Sequence, residues 1–421
     1  GAAALIYQVL WVRELGLLFG ATAEAAALTI AIFFAGIALG GYVFGRIAAR
    51  SANPLRLFGL VEIGVAVTAL GHFLVADAYF ALYPTLYGMV GHAPVLETAM
   101  KALVATTILL PPAFLMGGTL PLMGQHLIRS REALGRLGSA LYAVNTLGGA
   151  TGALAAGFAL PMLLGFKGSY LLAIGMDLAV GLSALALARA VPIPARRPAQ
   201  VPSLRPDAAS IAGPAVSPLI WVLAFLSGFA TLAIEVIWTR LFAQVLQNSV
   251  YTYALVLTTF LAALALGAVL ANLLARLRRP GPTVVLPVLL AGSALIAAGT
   301  PHLFHWVTDG LSYLGRGRDF AGYVQEVAMT AALVMLGPGI ILGAILPYLL
   351  RVMQNRSAAP GEALGRLIAA NTAGAILGAL SAGFLLLPVF GSNRALWLIG
   401  ALYALLAVAA ILALPAGRGA I

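Results

Sequence analysis

The chain alternates long apolar runs with short segments that hold arginine, glycine and proline. Runs of about 20 apolar residues are long enough to cross the hydrocarbon core of a bilayer as a helix. They lack the two-residue alternation of a membrane β-barrel strand, which excludes that class. Pro111–Pro112 and Pro338 fall inside two of the runs and predict kinks there. The pattern predicts twelve spanning helices, at residues 1–19, 22–45, 54–75, 99–126, 137–163, 168–190, 217–246, 249–277, 282–301, 327–353, 363–389 and 393–415.

Composition supports a membrane protein. Of the 421 residues, 62% are hydrophobic and 9% are charged, whereas roughly 25% are charged in a soluble domain. The bilayer is therefore the first predicted partner. The sequence contains no cysteine, which excludes disulfides, thiolate metal sites and cysteine nucleophiles and leaves the redox compartment open.

Arginines give the predicted orientation. The net charge is +11, and its arginines lie in short loops, which indicates membrane topology rather than a nucleic-acid partner. They cluster after the even-numbered spans, at Arg46, Arg50, Arg56, Arg129, Arg131, Arg136, Arg189, Arg196, Arg197, Arg205, Arg276, Arg278, Arg279, Arg351, Arg356 and Arg366. Both termini are predicted to be cytoplasmic, and the Pro- and Arg-rich stretch 191–216 is predicted to be a cytoplasmic linker.

The sequence contains an internal repeat. Residues 1–50 align without a gap on 228–277, and "NTLGGATGALAAGF" at 145–158 matches "NTAGAILGALSAGF" at 371–384. The chain is thus predicted to hold two six-helix repeats, 1–190 and 217–421. Six spans separate the copies, so they are predicted to be parallel, related by an axis along the membrane normal. This arrangement favours a cavity between the halves; the alternative is that duplication only built a stable bundle.

The repeat also predicts that the chain begins part-way along a helix. In the second copy, "SPLIWVLAFLS" precedes the position equivalent to Gly1. About one half-helix is therefore expected to be missing at the N-terminus.

Three stretches, "GAAALIYQVLWVREL", "FFAGIALGGYVFGR" and "ALYAVNTLGGATGALAAGFALP", carry a family resemblance. Together they resemble the membrane region of bacterial proteins in which a major-facilitator part is fused to a spermidine synthase. The loop "GGYVFGRIAARSANP" at 40–54 is similar to the loop between the second and third helices of major-facilitator transporters. The resemblance implies a major-facilitator-like fold, a bacterial inner membrane and a polyamine-like solute.

The chain departs from that family at its C-terminal end. The soluble aminopropyltransferase domain that often follows needs a Gly-rich turn and an acidic residue to hold its cofactor. This sequence shows no polar α/β region and has 13 acidic residues in all. Synthase activity and a cofactor are therefore not predicted for it.

Deep acidic residues are the first candidate site. Glu62, Asp177 and Glu235 fall inside predicted spans, and the repeat places Gln8 opposite Glu235. A carboxyl group within a span is costly and usually faces a cavity or a partner. These residues suit proton coupling or the binding of a cationic amine; the alternative is a buried acid that neighbouring hydroxyls or an arginine compensate.

The repeated Trp-x-Arg signature is the second candidate. Trp11 and Arg13 recur as Trp238 and Arg240, late in helices that are predicted to run outward. One interpretation is an aromatic belt residue beside an arginine that reaches the interface. The other is a charged gate, with Glu14 as a local partner of the arginine.

Two further features favour simple explanations. Asn145 and Asn371 lie among glycine and alanine, which predicts hydrogen bonds between closely packed helices rather than solute contacts. His302 and His305 would need a third ligand such as Asp309 to hold a metal, and no metal site is predicted.

The sequence leaves two functions open. The first is a secondary transporter for a small, cationic, polyamine-like solute. The second is a non-transporting membrane subunit that anchors a partner protein or enzyme, with other membrane or periplasmic subunits as partners; its support is the low number of deep polar residues. An intramembrane enzyme has no nucleophile–base set in its favour.

Overall fold

Long helices make up the protein. The computed structural model describes residues 1–20, 23–90, 93–127, 131–190, 218–246, 250–277, 281–354 and 360–413. The helices are α1 (Ala2–Phe19), α2 (Ala23–Arg50), α3 (Pro54–Val90), α4 (Pro94–Leu127), α5 (Arg131–Phe158), α6 (Leu160–Ala190), α7 (Pro218–Val245), α8 (Val250–Arg276), α9 (Pro282–Val307), α10 (Phe320–Ala331), α11 (Gly337–Gln354), α12 (Pro360–Ser381) and α13 (Leu387–Ala413). Each of the twelve predicted spans overlaps at least one of these helices. The fifth overlaps α5 and α6, the tenth α10 and α11, and the eleventh α12 and α13.

Nine helical segments of the described residues are long and apolar enough to cross a membrane. One of them, 367–412, contains both the eleventh and the twelfth predicted spans. The short α1 and the glycine-rich α5 are not among the nine. The count is therefore somewhat below the twelve predicted spans, although all twelve regions are helical.

The chain divides into two compact units, Gly1–Ser203 and Leu204–Ile421. The boundary between the units falls inside the predicted linker, 191–216. The linker itself lies outside the described residues. The predicted orientation of the termini depends on the distribution of arginines along the sequence, and it stays a prediction.

Equivalent helices pair in the same way inside each unit. In the first unit α2 packs on α4, α1 on α5, and α3 on α6. In the second unit α8 packs on α11, α7 on α12, and α9 on α13. The sequence repeat is thus a repeat of helix packing.

Small residues set the spacing of the α2–α4 pair and of its counterpart α8–α11. A methyl group added at Gly40 would overlap the carbonyl oxygen of Phe114 in α4, and one added at the equivalent Gly267 would lie 2.5 Å from the carbonyl oxygen of Ile340 in α11. Because helix backbones approach this closely only where side chains are absent, glycine is required at these crossings.

Both units contain the same backbone break. Gly165 has φ 69° and ψ 177°, and Gly391, 226 positions later, has φ 70° and ψ 172°. A residue with a side chain is strained at such angles, so glycine allows the fifth and sixth spans, and the eleventh and twelfth, to follow each other without a loop.

Prolines affect the helices differently. A π-helical turn at Ala332–Leu336 separates α10 from α11 and ends just before Pro338. Proline lacks the N–H that would bond to the carbonyl of Val334, which explains the disruption predicted there. At Pro111–Pro112, by contrast, α4 continues as an α-helix.

Helices α3 and α4 are longer than the predicted spans. The apolar pattern placed the end of the third span at residue 75, but α3 continues to Val90 and reaches 37 residues. At 1.5 Å per residue this is about 55 Å, well beyond a hydrocarbon core of about 30 Å. Tyr79, Tyr83 and Tyr87 follow one another along the extension, with ring centroids 5.5 and 5.7 Å apart.

Candidate functional site

The two signature tryptophans are core residues. Trp11 is fully buried and Trp238 is 1% exposed, so the aromatic-belt interpretation is wrong. Trp11 meets Phe33 of α2 at 6.2 Å between ring centroids, and Trp238 meets the equivalent Phe260 of α8 at 6.0 Å. Each tryptophan therefore packs the first helix of its unit against the second.

The signature arginines lie at the surface of their units. Arg13 and Arg240 are both exposed. The Arg13 guanidinium lies 5.7 Å from the centre of the Phe166 ring. Glu14, the expected local partner of the arginine, instead lies 3.7 Å from His72 of α3. The structure thus pairs Glu14 with a histidine that sequence reasoning did not identify.

Asp177 is held inside the first unit. It is 6% exposed and lies on the buried face of α6, in the series Ser169, Tyr170, Ala173, Ile174, Asp177, Gly181 and Ala184. The Tyr7 hydroxyl of α1 donates a hydrogen bond of 2.9 Å to Asp177 Oδ2. Glu62 of α3 is half-buried and lies within electrostatic range of Asp177. Helices α1 and α6 therefore bring a hydroxyl and a carboxyl group into contact, and α3 adds a second carboxyl group within electrostatic range.

Glu235 lies in the second unit. It is 3% exposed, and the equivalent Gln8 of the first unit is 2% exposed. Glu235 Oε1 has no hydrogen-bond partner among the described residues. The structure thus confirms that Glu235 is buried. No hydrogen-bond donor among the described residues compensates the burial of its Oε1 atom.

An aromatic cluster adjoins Asp177 through Tyr7 and Glu14 through His72. Trp11 Nε1 donates to the Tyr170 hydroxyl at 3.0 Å, and that hydroxyl donates to the Ala69 carbonyl at 3.2 Å. The Tyr7 and Trp11 rings stack with centroids 5.3 Å apart, and His72 stacks on Tyr170 at 4.9 Å. These bonds satisfy the Trp11 indole N–H and the Tyr170 hydroxyl and fix the rings that contact them.

Sequence reasoning missed Tyr7, His72 and Tyr170. His72 carried a usable signal, because an ionisable residue inside an apolar span usually has a role. Tyr7 and Tyr170 carried none, since tyrosine is common in membrane helices and their partners lie 170 and 159 positions away.

The two asparagines lie at helix contacts. Asn371 Nδ2 donates to the Ala224 carbonyl at 3.0 Å and to Ser227 Oγ at 3.3 Å, both in α7. The Asn371 backbone faces Gly228, and the Asn145 backbone faces Gly1, which is the equivalent pair.

His302, considered above as a metal ligand, stacks on Trp397 with ring centroids 6.1 Å apart. Within the described ranges, no group of three metal-ligating side chains comes together.

Comparison with known proteins gives a match at the level of fold. No protein-family model matches the sequence, and no curated protein matches it significantly. Among solved structures, the crystal structure of the nucleoside transporter NupG is similar, with a TM-score of 0.59 and 12% sequence identity over 99% of this chain and 98% of that one. At that identity the likeness concerns the fold alone. The chain is therefore an all-α, multi-pass membrane protein whose fold is similar to that of NupG.

Proposed function

We propose that the protein is a secondary transporter for a small cationic solute of the amine class. The observation that carries the proposal is Asp177, a buried carboxyl group in a spanning helix that accepts a hydrogen bond from the neutral Tyr7 hydroxyl. Among the described residues no lysine or arginine forms an ion pair with it.

The energetic argument favours a cationic ligand. A charge removed from water without a partner costs several kcal/mol, and a cation at hydrogen-bond distance offsets that cost. A solute with a positive charge would therefore gain binding free energy from an ion pair with Asp177, and a neutral solute would not.

Glu62 narrows the proposed class of solute. Two carboxyl groups within electrostatic range of each other match a ligand that carries two amino groups better than one that carries a single amino group. The resemblance of the sequence to the membrane region of fused spermidine synthases supports the same class. NupG is a nucleoside transporter by its title, so nucleosides are the natural comparison solutes.

The test is uptake by the purified protein in liposomes. Radiolabelled putrescine and spermidine are offered in parallel with uridine, and uptake is compared between the wild type and Asp177→Asn. Asparagine keeps an oxygen that accepts from Tyr7, so the variant should fold. Losing one partner of a buried charge pair costs roughly 2–5 kcal/mol, so amine uptake at low concentration should fall about 30-fold or more.

The matched control is Asp77→Asn, the same chemical change at an exposed position of α3. It should leave amine uptake unchanged. Uptake of uridine in place of amines would contradict the cationic class. If folded wild-type protein moves no solute and instead co-purifies with a partner from native membranes, the membrane-subunit alternative is correct.

A further inference from the structure

A buried titratable group in the first unit takes no part in the proposed cation site. His72 of α3 is 2% exposed, and its Nε2 lies 3.7 Å from Glu14 Oε2 of α1. His72 Nδ1 is buried without a hydrogen-bond partner among the described residues. A histidine inside a spanning helix is costly and usually serves a function.

Glu14 is the acidic group within ion-pair distance of His72. The Tyr170 ring of α6 stacks on the imidazole at an interplanar angle of 29°. On α4, Glu97 and Lys101 pair with each other at 2.7 Å. Lys167 Nζ of α6 lies 5.6 Å from the centre of the Phe73 ring, next to His72 in the chain. The other titratable or charged side chains of α1 and of the neighbouring turns of α3 and α6 are Tyr7, Arg13, Glu62, Asp77 and Asp177.

We propose that His72 and Glu14 together bind the proton that drives transport; this rests on the proposed transport function. Histidine is the side chain that most readily takes up and releases a proton near neutral pH. A protonated imidazole forms an ion pair with Glu14 and ties α3 to α1, and loss of the proton removes that tie. Glu14 is 23% exposed, which gives protons access to the pair.

A continuous series of contacts joins this pair to Asp177. His72 stacks on Tyr170, the Tyr170 hydroxyl accepts from Trp11 at 3.0 Å, and Trp11 stacks on Tyr7. Tyr7 in turn donates to Asp177. Glu14 follows Tyr7 by seven positions, which is a rise of about 10 Å along α1. Forming or breaking the Glu14–His72 ion pair between α1 and α3 therefore acts, through the packed rings, on the Tyr7 hydroxyl that donates to Asp177.

The first test needs no solute. The chain has five histidines, so His72→Gln identifies the His72 signal in a ¹⁵N-histidine spectrum of the purified protein by removing it. The His72 signal should respond to acidification of the sample, and Glu14→Gln should alter that response. A signal that does not respond, or whose response is the same in Glu14→Gln, would overturn the proposal.

The second test separates coupling from binding. In liposomes, His72→Gln should reduce amine uptake driven by a pH gradient by about tenfold or more, a typical size for coupling between two sites. Exchange of labelled for unlabelled amine, which needs no net proton movement, should change far less. His302→Gln, at an exposed histidine of the second unit, serves as the control and should affect neither.

The outcomes of the two tests are distinct. If gradient-driven uptake and exchange fall equally in His72→Gln, the residue is part of the binding site and the proton proposal is wrong. If the wild type moves no amine while His72 titrates with Glu14, the proposed solute class fails and the proton site stands. If amine uptake is intact in His72→Gln, the proton is bound elsewhere.

Discussion

Single substitutions between the two repeats show how each unit handles its buried polar groups. Where the first unit has Gln8, the second has Glu235, and where the first has Asp177, the second has Tyr403. All four residues are buried. The acid is thus placed on the sixth helix of one unit and on the first helix of the other. This asymmetry is expected of residues that serve a ligand rather than the shared fold.

At Glu235 the repeat supplies its own control for a mutation. Glu235→Gln should fold, because glutamine already occupies the equivalent buried position, and removing an uncompensated carboxyl group leaves thermal stability unchanged or higher. Amine uptake should nevertheless be lost if Glu235 takes part in transport. Thermal unfolding and liposome uptake of the same preparation check this.

Two results would change the assignment of Glu235. A variant that transports normally would exclude Glu235 from the site. A clear loss of stability would show that Glu235 forms a buried ion pair in the native protein.

At the scale of helices, the equivalent pairs α2–α4 and α8–α11 share the same contact between small residues. Gly36 of α2 faces Ala113 of α4, and a methyl group added at Gly36 would lie 2.6 Å from the Ala113 Cβ. In the second unit the glycine and alanine are exchanged, since Ala263 of α8 faces Gly339 of α11. The crossing tolerates one methyl group, and either helix can supply it.

Helix α2 offers a matched pair of substitutions that test this packing. Gly40→Ala should separate α2 from α4, because its methyl group would overlap the Phe114 carbonyl, and overpacking costs about 1–3 kcal/mol. The methyl group of Gly45→Ala would meet no atom within 4 Å, so this substitution should leave the protein's stability unchanged or slightly higher. Thermal unfolding of both variants in the same detergent measures the difference in stability. Equal melting temperatures would contradict the close approach of α2 and α4 at Gly40.

Helix positions could be predicted from the sequence far better than helix contacts. Apolar runs located all twelve regions because burial in lipid requires an apolar side chain at nearly every position. The extension of α3 to Val90 was missed because the predicted span ended once it was long enough to cross the bilayer, and a helix can continue beyond that length. The Glu14–His72 and Tyr7–Asp177 contacts were missed because they join residues far apart in sequence, and neither pattern nor composition records such pairs.

For the whole molecule, the fold agrees with NupG over nearly the full length of both chains. Fold does not determine the solute, because solute specificity depends on a few side chains within a shared scaffold. The parallel relation of the two repeats and the cytoplasmic position of both termini remain predictions from the repeat and from the arginine distribution. The proposed solute class therefore rests on the side chains around Asp177.

Current recorded on a solid-supported membrane tests the central claim most directly, because a cation that crosses the membrane carries charge. Addition of putrescine to immobilised proteoliposomes should give a transient current with wild-type protein and with Asp77→Asn, and none with Asp177→Asn. Uridine at the same concentration should give no current. A wild type that is folded and gives no current with putrescine or spermidine, or an Asp177→Asn variant that gives the wild-type current, would contradict the account.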